Sequence, residues 1–439
     1  MLEFCQKSST FAVEMNNIIR DSAKLLTANV VAQAIGLLVY PILTRLYSPD
    51  DFGLLNLFLS IGGVLVLLST AEYQYAIVLP KDDNKARAVT QVGLMVLSIV
   101  TVIILLSLPF SGSIGTLFKA PGLANWWWLM PIYVVALGGW TLLNYYYTRQ
   151  GQFTRISGYQ ISQSVLNSGL KVGFGYSGFL SGGLIVSSVL GPVLALCGSI
   201  VLGWRKCLSA LRLRCSYADL KQAAKEYGKF PKYDLPRSLV NMLSGNLPAF
   251  MLTPFFGLTE LGFFSMAMVL AFRPINMVCM SIYQVLYRQI AEKVNLCQRI
   301  TPILRRYLGW MMLITIPTFV VLYWFLPWLT SLILGSNYAI SGVYIRSMLI
   351  WLLMVLMATT INFIPDIFGK QRIMMWVETV YCVLRVIVLF IGIRSGSFIL
   401  TLRLYFYVSA LVLAGELIWF MWLSHSFDKQ LDDGGNIVK

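Results

Sequence analysis

Long apolar stretches recur along this chain, each bounded by short clusters of charged or turn-forming residues. About 20 apolar residues cross the hydrocarbon core of a bilayer. The pattern predicts spans at 24–44, 53–79, 88–110, 122–147, 156–177, 181–204, 235–256, 260–287, 306–327, 340–364, 373–393 and 397–424. The fifth and sixth are hardest to separate, because residues 172–204 carry no charge; the turn SGFLSGG at 177–183 divides them. The predicted fold class is an all-α polytopic membrane protein of 12 transmembrane helices.

Composition supports that class. Of 439 residues, 57% are hydrophobic and 12% charged, about half the charge of a typical soluble domain. The net charge is +15. With both termini on one side, 25 of the 34 Lys and Arg fall on that side's links and tails, three on the opposite links, and six are embedded. This positive-inside asymmetry predicts cytoplasmic termini, and it accounts for the basic excess without a nucleic-acid partner. The outer links are too short to mount an extracytoplasmic catalytic domain. Seven cysteines form no CxxC and His425 is the sole histidine, so neither disulfides nor a metal centre is expected. No phosphate-cradling GxxxxGK[ST] occurs, so the chain is expected to hold no ATPase. The first twenty residues lack a cleavable apolar core and do not read as a signal peptide.

Residues 47–55, YSPDDFGLL, and 256–264, FGLTELGFF, align without gaps. Tyr47 meets Phe256, Asp51 meets Glu260, Phe52 meets Leu261 and Gly53 meets Gly262. Each stretch joins the first two spans of its half. The expected organisation is two six-helix bundles, 1–204 and 235–439, around a central cavity. Between them, 205–234 forms a basic linker. Its segment SYADLKQAAKEY opens with a Ser216/Asp219 capping box and sets Leu220, Ala223, Ala224 and Tyr227 on one face. That helix reads either as a sensor of anionic lipid or as a tether.

The embedded polar groups are the candidate chemistry, since a charge at mid-membrane costs about 2.5–3.5 kcal/mol on insertion scales. Arg273, in SMAMVLAFRPINMVCMSIYQVLY, lies mid-way along the span 260–287, roughly 20 Å from either end of that span at 1.5 Å per residue, too far to snorkel. It must face water or a partner. Pro274 opens the backbone ladder beside it. A planar guanidinium suits phosphate oxygens, so Arg273 is a candidate anion ligand; an internal ion pair is the alternative. Arg237, at the cytoplasmic mouth of the seventh span, is a candidate for first contact with an anionic headgroup. Arg385 shares a helical face with Glu378, which reads as a structural tie or as a second charged station. Lys171, Arg346 and Arg403 sit nearer the outer surface, where snorkelling suffices; Lys171 could also relay phosphate near the exit. Gly169 and Gly173 around it form a GxxxG, a packing signal. Glu72 and Glu378 are candidate carriers of a coupling proton or sodium ion. Glu416 and Asp366, near inner span ends, read as solvated. Asn29 and Gln33 in the first span, and Asn241 and Asn246 in the seventh, suit either interhelical glue or hydroxyl-rich ligands. The aromatics of NWWWLMPIY (125–133) and LNYYYTRQ (143–150) read as an interfacial belt.

The segments PILTRLYSPDDFGLLNLFLSI (41–61), AEYQYAIVLPKDD (71–83) and 226–274, which opens EYGKFPKYDLPRS, carry a resemblance. They resemble the Wzx-type polysaccharide repeat-unit flippases of O-antigen and exopolysaccharide systems, in the superfamily of multidrug exporters and lipid II flippases. The resemblance implies transport of undecaprenyl-pyrophosphate-linked oligosaccharide from the inner to the outer leaflet of the bacterial cytoplasmic membrane, by alternating access. It implies the polysaccharide polymerase machinery as a candidate partner, and no enzymatic activity or cofactor beyond a coupling ion. It also puts Arg273 on a cavity-lining span and the Arg385 helix at the periphery. An ion-coupled drug or metabolite antiporter is the alternative within that superfamily, although the surplus of embedded bases over acids favours an anionic substrate. A membrane-embedded polymerase or glycosyltransferase is a further class, opposed by the short outer links.

Overall fold

The computed structural model describes residues 27–202 and 216–432. The start of the first predicted span, Lys7, Arg20, Lys24, residues 205–215 of the linker, Cys5, Cys207, Cys215 and Lys439 lie outside the described residues. The described residues form helices joined by short turns, with no strand among them. Two compact units emerge. The first gathers the chain up to Tyr47 with Leu57–Met242; the second gathers Ser48–Asn56 with Leu243 onward. The boundary thus falls after Met242, inside a helix, rather than at 235.

The first unit contains α1 (Thr27–Leu46), most of α2 (Pro49–Thr70), α3 (Asp83–Leu106), α4 (Met130–Arg149), α5 (Phe153–Tyr176) and α6 (Leu180–Leu202). Gly178, at φ +78°, supplies the predicted α5–α6 turn. Packing is tightest between α5 and α6, where a Cβ on Gly191 would sit 3.0 Å from the Asn167 Cα. Gly169 and Gly173 face open space instead, so the GxxxG is not a packing face. The predicted aromatic belt is largely core as well. Trp127, Tyr133, Tyr146 and Tyr147 are buried, and Trp127 Nε1 donates to Ser107 Oγ at 2.9 Å. Tyr133 and Trp126 occupy the space above Gly62 and Gly182, because large rings fill the room that small residues leave. The linker helix α7 (Tyr217–Glu226) carries the expected capping box. It packs on α3, with Lys85 paired to Glu226 at 3.5 Å and Leu220 and Ala223 buried. Its apolar face is therefore spent on the unit, as a tether requires.

From Leu243 the second unit contains the remainder of α8 (Leu235–Ala267), then α9 (Arg273–Asn295), α10 (Thr301–Leu334), α11 (Ala339–Thr360), α12 (Gln371–Arg394) and α13 (Phe398–Asp432). Gly257, at φ 87° and ψ 176°, interrupts α8 where two spans were expected to part. The stretch Ser336–Ile367, holding α11, is central: 72% of its apolar window is buried, against 11% for the windows of α10 and α12. Large apolar side chains such as Trp324 on α10 and Phe390 on α12 stand exposed, which suits a lipid surround and not water. The protein is a multi-pass membrane protein.

The repeat motif explains why residues 48–56 belong to the second unit. Ser48 caps α2 reciprocally with Asp51: Ser48 N–H and Oγ donate to Asp51 Oδ2 at 2.9 and 2.7 Å. That turn packs against its own counterpart. Gly53 abuts the Leu258 carbonyl, and Gly262 abuts the Pro49 carbonyl. Thr259 Oγ1 donates to Asp50 Oδ1 at 2.5 Å. The two glycine contacts are reciprocal, since Leu258 is the repeat equivalent of Pro49 and Gly262 that of Gly53, and Thr259 and Asp50 are 209 residues apart, so the two copies meet as a pseudo-twofold pair.

Prolines shape the remaining helices. The five-residue π-helical segments Phe230–Asp234 and Met268–Phe272 each end one residue short of a proline, Pro236 and Pro274. A widened turn relieves the clash of a proline ring with the carbonyl four residues back. In α10, Pro327 leaves the Tyr323 carbonyl without its helical donor. Arg346 Nε donates to that oxygen at 2.6 Å, and its Nη2 donates to the Trp324 carbonyl at 3.1 Å. Arg346 thus repairs a proline-broken helix, which supplies the reason for its charge that snorkelling alone did not.

Candidate functional site

The second apolar run does not continue as one helix. α2 stops at Thr70, and Ala71 (φ 44°) and Glu72 (φ 62°, ψ 10°) are both left-handed before a single turn at Tyr73–Ala76. Left-handed backbone costs roughly 1–2 kcal/mol per non-glycine residue, and such strain persists where surrounding packing imposes it. The break turns the Glu72 carboxylate inward. Glu72 is 2% exposed; its carboxylate accepts from Gln74 Nε2 and meets the Ser238 hydroxyl. Gln74 Oε1, also buried, has no protein partner.

These groups border a cleft of about 610 Å³ in the first unit, lined by Glu72, Tyr75, Asp234, Arg237, Ser238 and Asn241. Arg237 and Asn241 stand exposed one helical turn apart on α8, next to the π-helical segment at Phe230–Asp234. Tyr75 packs edge-on to Tyr145 at 5.2 Å. The cleft combines a broken helix, a cation, a buried acid and neutral donors. Discontinuous helices of this kind line transporter sites, because their freed backbone groups need polar surroundings.

A second polar feature lies on α5 in the same unit. Ser157, Gln160, Ser164, Asn167 and Lys171 recur every three or four residues, on one face. Ser164 Oγ donates to the Ala32 carbonyl of α1 at 2.6 Å. Ser157 Oγ, Gln160 Oε1 and Asn167 Oδ1 are buried atoms without a protein partner. Native proteins leave few such atoms orphaned, so this stripe calls for water or a hydroxyl-bearing ligand. Of the five, only Lys171 stands out in the sequence by its charge, although the spacing of all five is visible there. Lys171 is buried rather than snorkelling, and its carbonyl accepts from Tyr47 Oη at 2.6 Å.

The remaining predicted residues separate. Asn29 and Gln33 stand exposed on α1, one turn apart. Asn246 is half-buried and Arg273 exposed, both in the second unit. Pro274 follows the π-helical segment described above. Arg385 binds across three helices of the second unit. Its guanidinium donates to Tyr381 Oη at 2.5 Å, Ser244 Oγ at 3.0 Å and Ser409 Oγ at 3.3 Å, and it lies over the Tyr381 ring at 3.9 Å. That is a structural tie, built on tyrosine and serine oxygens as well as on charge. Glu378 is half-buried on the same helix. Glu416, expected to be solvated, is 7% exposed, because α13 packs closely along α11 and α12.

Residues 42–342 match the model of a family described as "polysaccharide biosynthesis protein". The chain belongs to that family. Its fold is that of the transporter superfamily the sequence resembled. An inward-facing multidrug-resistance MATE family transporter of the MOP superfamily superposes with TM-score 0.65 at 16% identity, covering 92% of this chain and 96% of that one. The lipid II flippase MurJ, in an inward closed conformation, superposes with TM-score 0.67 at 13% identity, covering 94% and 92%. A MATE transporter from Vibrio cholerae gives TM-score 0.53 at 17% identity, covering 96% and 97%. No curated protein matches the chain.

Proposed function

We propose that this member of the polysaccharide biosynthesis family is a flippase. It moves undecaprenyl-pyrophosphate-linked oligosaccharide from the inner to the outer leaflet of the bacterial cytoplasmic membrane. The observation that carries the reading is the cleft of the first unit, where the cation Arg237 and neutral Ser238 and Asn241 stand beside a broken helix. Arg237 takes the pyrophosphate, and Arg273 of the second unit, exposed mid-span where only water tolerates it, is a further candidate anion ligand. The orphaned oxygens of α5, with Asn29 and Gln33, suit sugar hydroxyls. The polyprenyl tail stays in lipid while the site is exposed to one side and then the other. A membrane potential negative inside favours outward movement of the anion by about 2.3 kcal/mol per charge per 100 mV. The protein works by binding and conformational change rather than catalysis, in the inner membrane with cytoplasmic termini, and the polysaccharide polymerase is a fitting neighbour.

Glu72 favours a second reading. A buried acid on strained backbone is what an ion-coupled antiporter needs, with a proton or sodium ion as the coupled species. Within the flippase reading, Glu72 couples that ion to headgroup movement. One experiment separates these. The gene is deleted, and lipid extracts are analysed by mass spectrometry after complementation with wild type, Arg237→Ala, Arg273→Ala or Glu72→Gln at matched protein levels. Lipid-linked oligosaccharide accumulates in the deletion and is cleared by wild type but not by the arginine variants. Intact surface polymer with altered drug sensitivity would sink the flippase and promote the antiporter.

A further inference from the structure

The second unit carries a basic cleft that the transport reading does not use. It has a volume of about 730 Å³ and lies where the α9–α10 link meets the end of α13. Arg305, Arg306, His425 and Lys429 contribute its cationic wall. Two acids also line it, and both are engaged. Asp428 caps α10, accepting from the Ile300 and Thr301 amides at 2.9 and 3.0 Å. Asp432 accepts from Arg299 Nη2 at 2.5 Å. Among the described residues, Arg305, Arg306 and Lys429 have no carboxylate partner. A concave surface with three uncompensated permanent cations calls for an anion.

The apolar side chains beside it say which anion. On α13, the exposed Ile418 and Trp422 lead at helical spacing to the exposed His425 and Lys429. On α10, Leu313 and Trp310, 64% and 57% exposed, lead likewise to Arg306. Large apolar groups left this open on a membrane protein face acyl chains. Tryptophan favours the interface; Arg306 and His425 follow within one turn, about 5–6 Å along the axis, at phosphate depth, and Lys429 follows one turn further, in the headgroup region. The positive-inside count puts these links at the cytoplasmic face.

We propose that this cleft holds the phosphodiester headgroup of an anionic phospholipid of the inner leaflet. Arg305, Arg306 and Lys429 contact the phosphate, and Trp310 and Trp422 flank the glycerol and upper acyl chains. The alternative source of the same chemistry is free phosphate, which would use the cations but not the tryptophan-lined stripes.

The test uses the full-length protein, purified and delipidated in mild detergent, and native mass spectrometry. Dioleoylphosphatidylglycerol is titrated against dioleoylphosphatidylcholine for wild type and for an Arg305→Gln/Arg306→Gln/Lys429→Gln variant. Juxtamembrane basic residues each strengthen anionic-lipid binding about fivefold. The triple variant should therefore bind phosphatidylglycerol about a hundredfold more weakly, with phosphatidylcholine unchanged. If the triple variant aggregates, Arg306→Gln and Lys429→Gln singly should each show the fivefold loss. Equal phosphatidylglycerol binding by wild type and variants overturns the site. Displacement of the lipid by millimolar inorganic phosphate, with no preference for phosphatidylglycerol over phosphatidylcholine, overturns its assignment to lipid.

Discussion

Gly53 and Gly262 offer the sharpest test of the repeat. A Cβ at Gly53 would lie 2.8 Å from the Leu258 carbonyl carbon, and one at Gly262 would lie 2.6 Å from that of Pro49. Real Cβ contacts almost never fall below 3.0 Å, and both obstacles are backbone, which no rotamer change can move. The carbonyl oxygens lie closer still, so either alanine must push the two turns apart by about an ångström. That movement also stretches the Thr259–Asp50 hydrogen bond. Overpacking of this kind costs about 1–3 kcal/mol. Taking about 2 kcal/mol, and about 2–4 °C per kcal/mol for a unit of this size, each variant should melt about 4–8 °C below wild type. The contacts are reciprocal, so a gap opened by one alanine partly accommodates the other. The double variant should then lose clearly less than the sum of the single losses. The assay is thermal unfolding of purified Gly53→Ala, Gly262→Ala and the double variant in one detergent. Melting points within 1 °C of wild type, or strictly additive losses, would show that the turns do not meet backbone to backbone and refute the pseudo-twofold contact.

Other consequences follow from the same geometry. Arg346→Ala orphans the Tyr323 carbonyl and should cost about 1–3 kcal/mol; adding Pro327→Ala restores a helical N–H and should recover part of that loss in a thermal-melt double-mutant cycle. Arg385→Ala removes hydrogen bonds to three helices and should lower the melting temperature by several degrees, whereas Arg394→Ala, at the exposed C-terminus of α12, should leave it unchanged. Gly169→Ala and Gly173→Ala meet open space and should be neutral or stabilising by up to about 1 kcal/mol. Gly191→Ala, against the Asn167 backbone, should reduce the yield of folded protein in membrane extracts.

Much of the architecture was legible in the chain because its causes are local. Apolar run length sets the spans. Gly178 and Gly257 punctuate runs where left-handed or extended backbone is needed, and both turns fell where the sequence placed them. The Ser216/Asp219 cap likewise depends on neighbours within three residues. The family segments and the repeat offset were also readable directly.

What the sequence could not decide is what each side chain meets. Gly169 and Gly173 carry the right spacing for helix packing, yet the close approach falls at Gly191, since contact depends on which faces α5 and α6 present. The aromatics at 126–147 have the composition of an interfacial belt but became core once neighbouring glycines left room. Arg346 read as a charge near a surface until folding brought it to a carbonyl 23 residues away, freed by Pro327. The candidate site shows the same division. Sequence identified Glu72, Arg237 and Asn241 as separate exceptions to an apolar pattern. Only the tertiary structure, by breaking α2 at Ala71–Glu72, brought them to one cleft. It also showed that the α5 polar stripe ends in unpartnered atoms, because hydrogen-bond satisfaction is a property of packed neighbours and not of residue type.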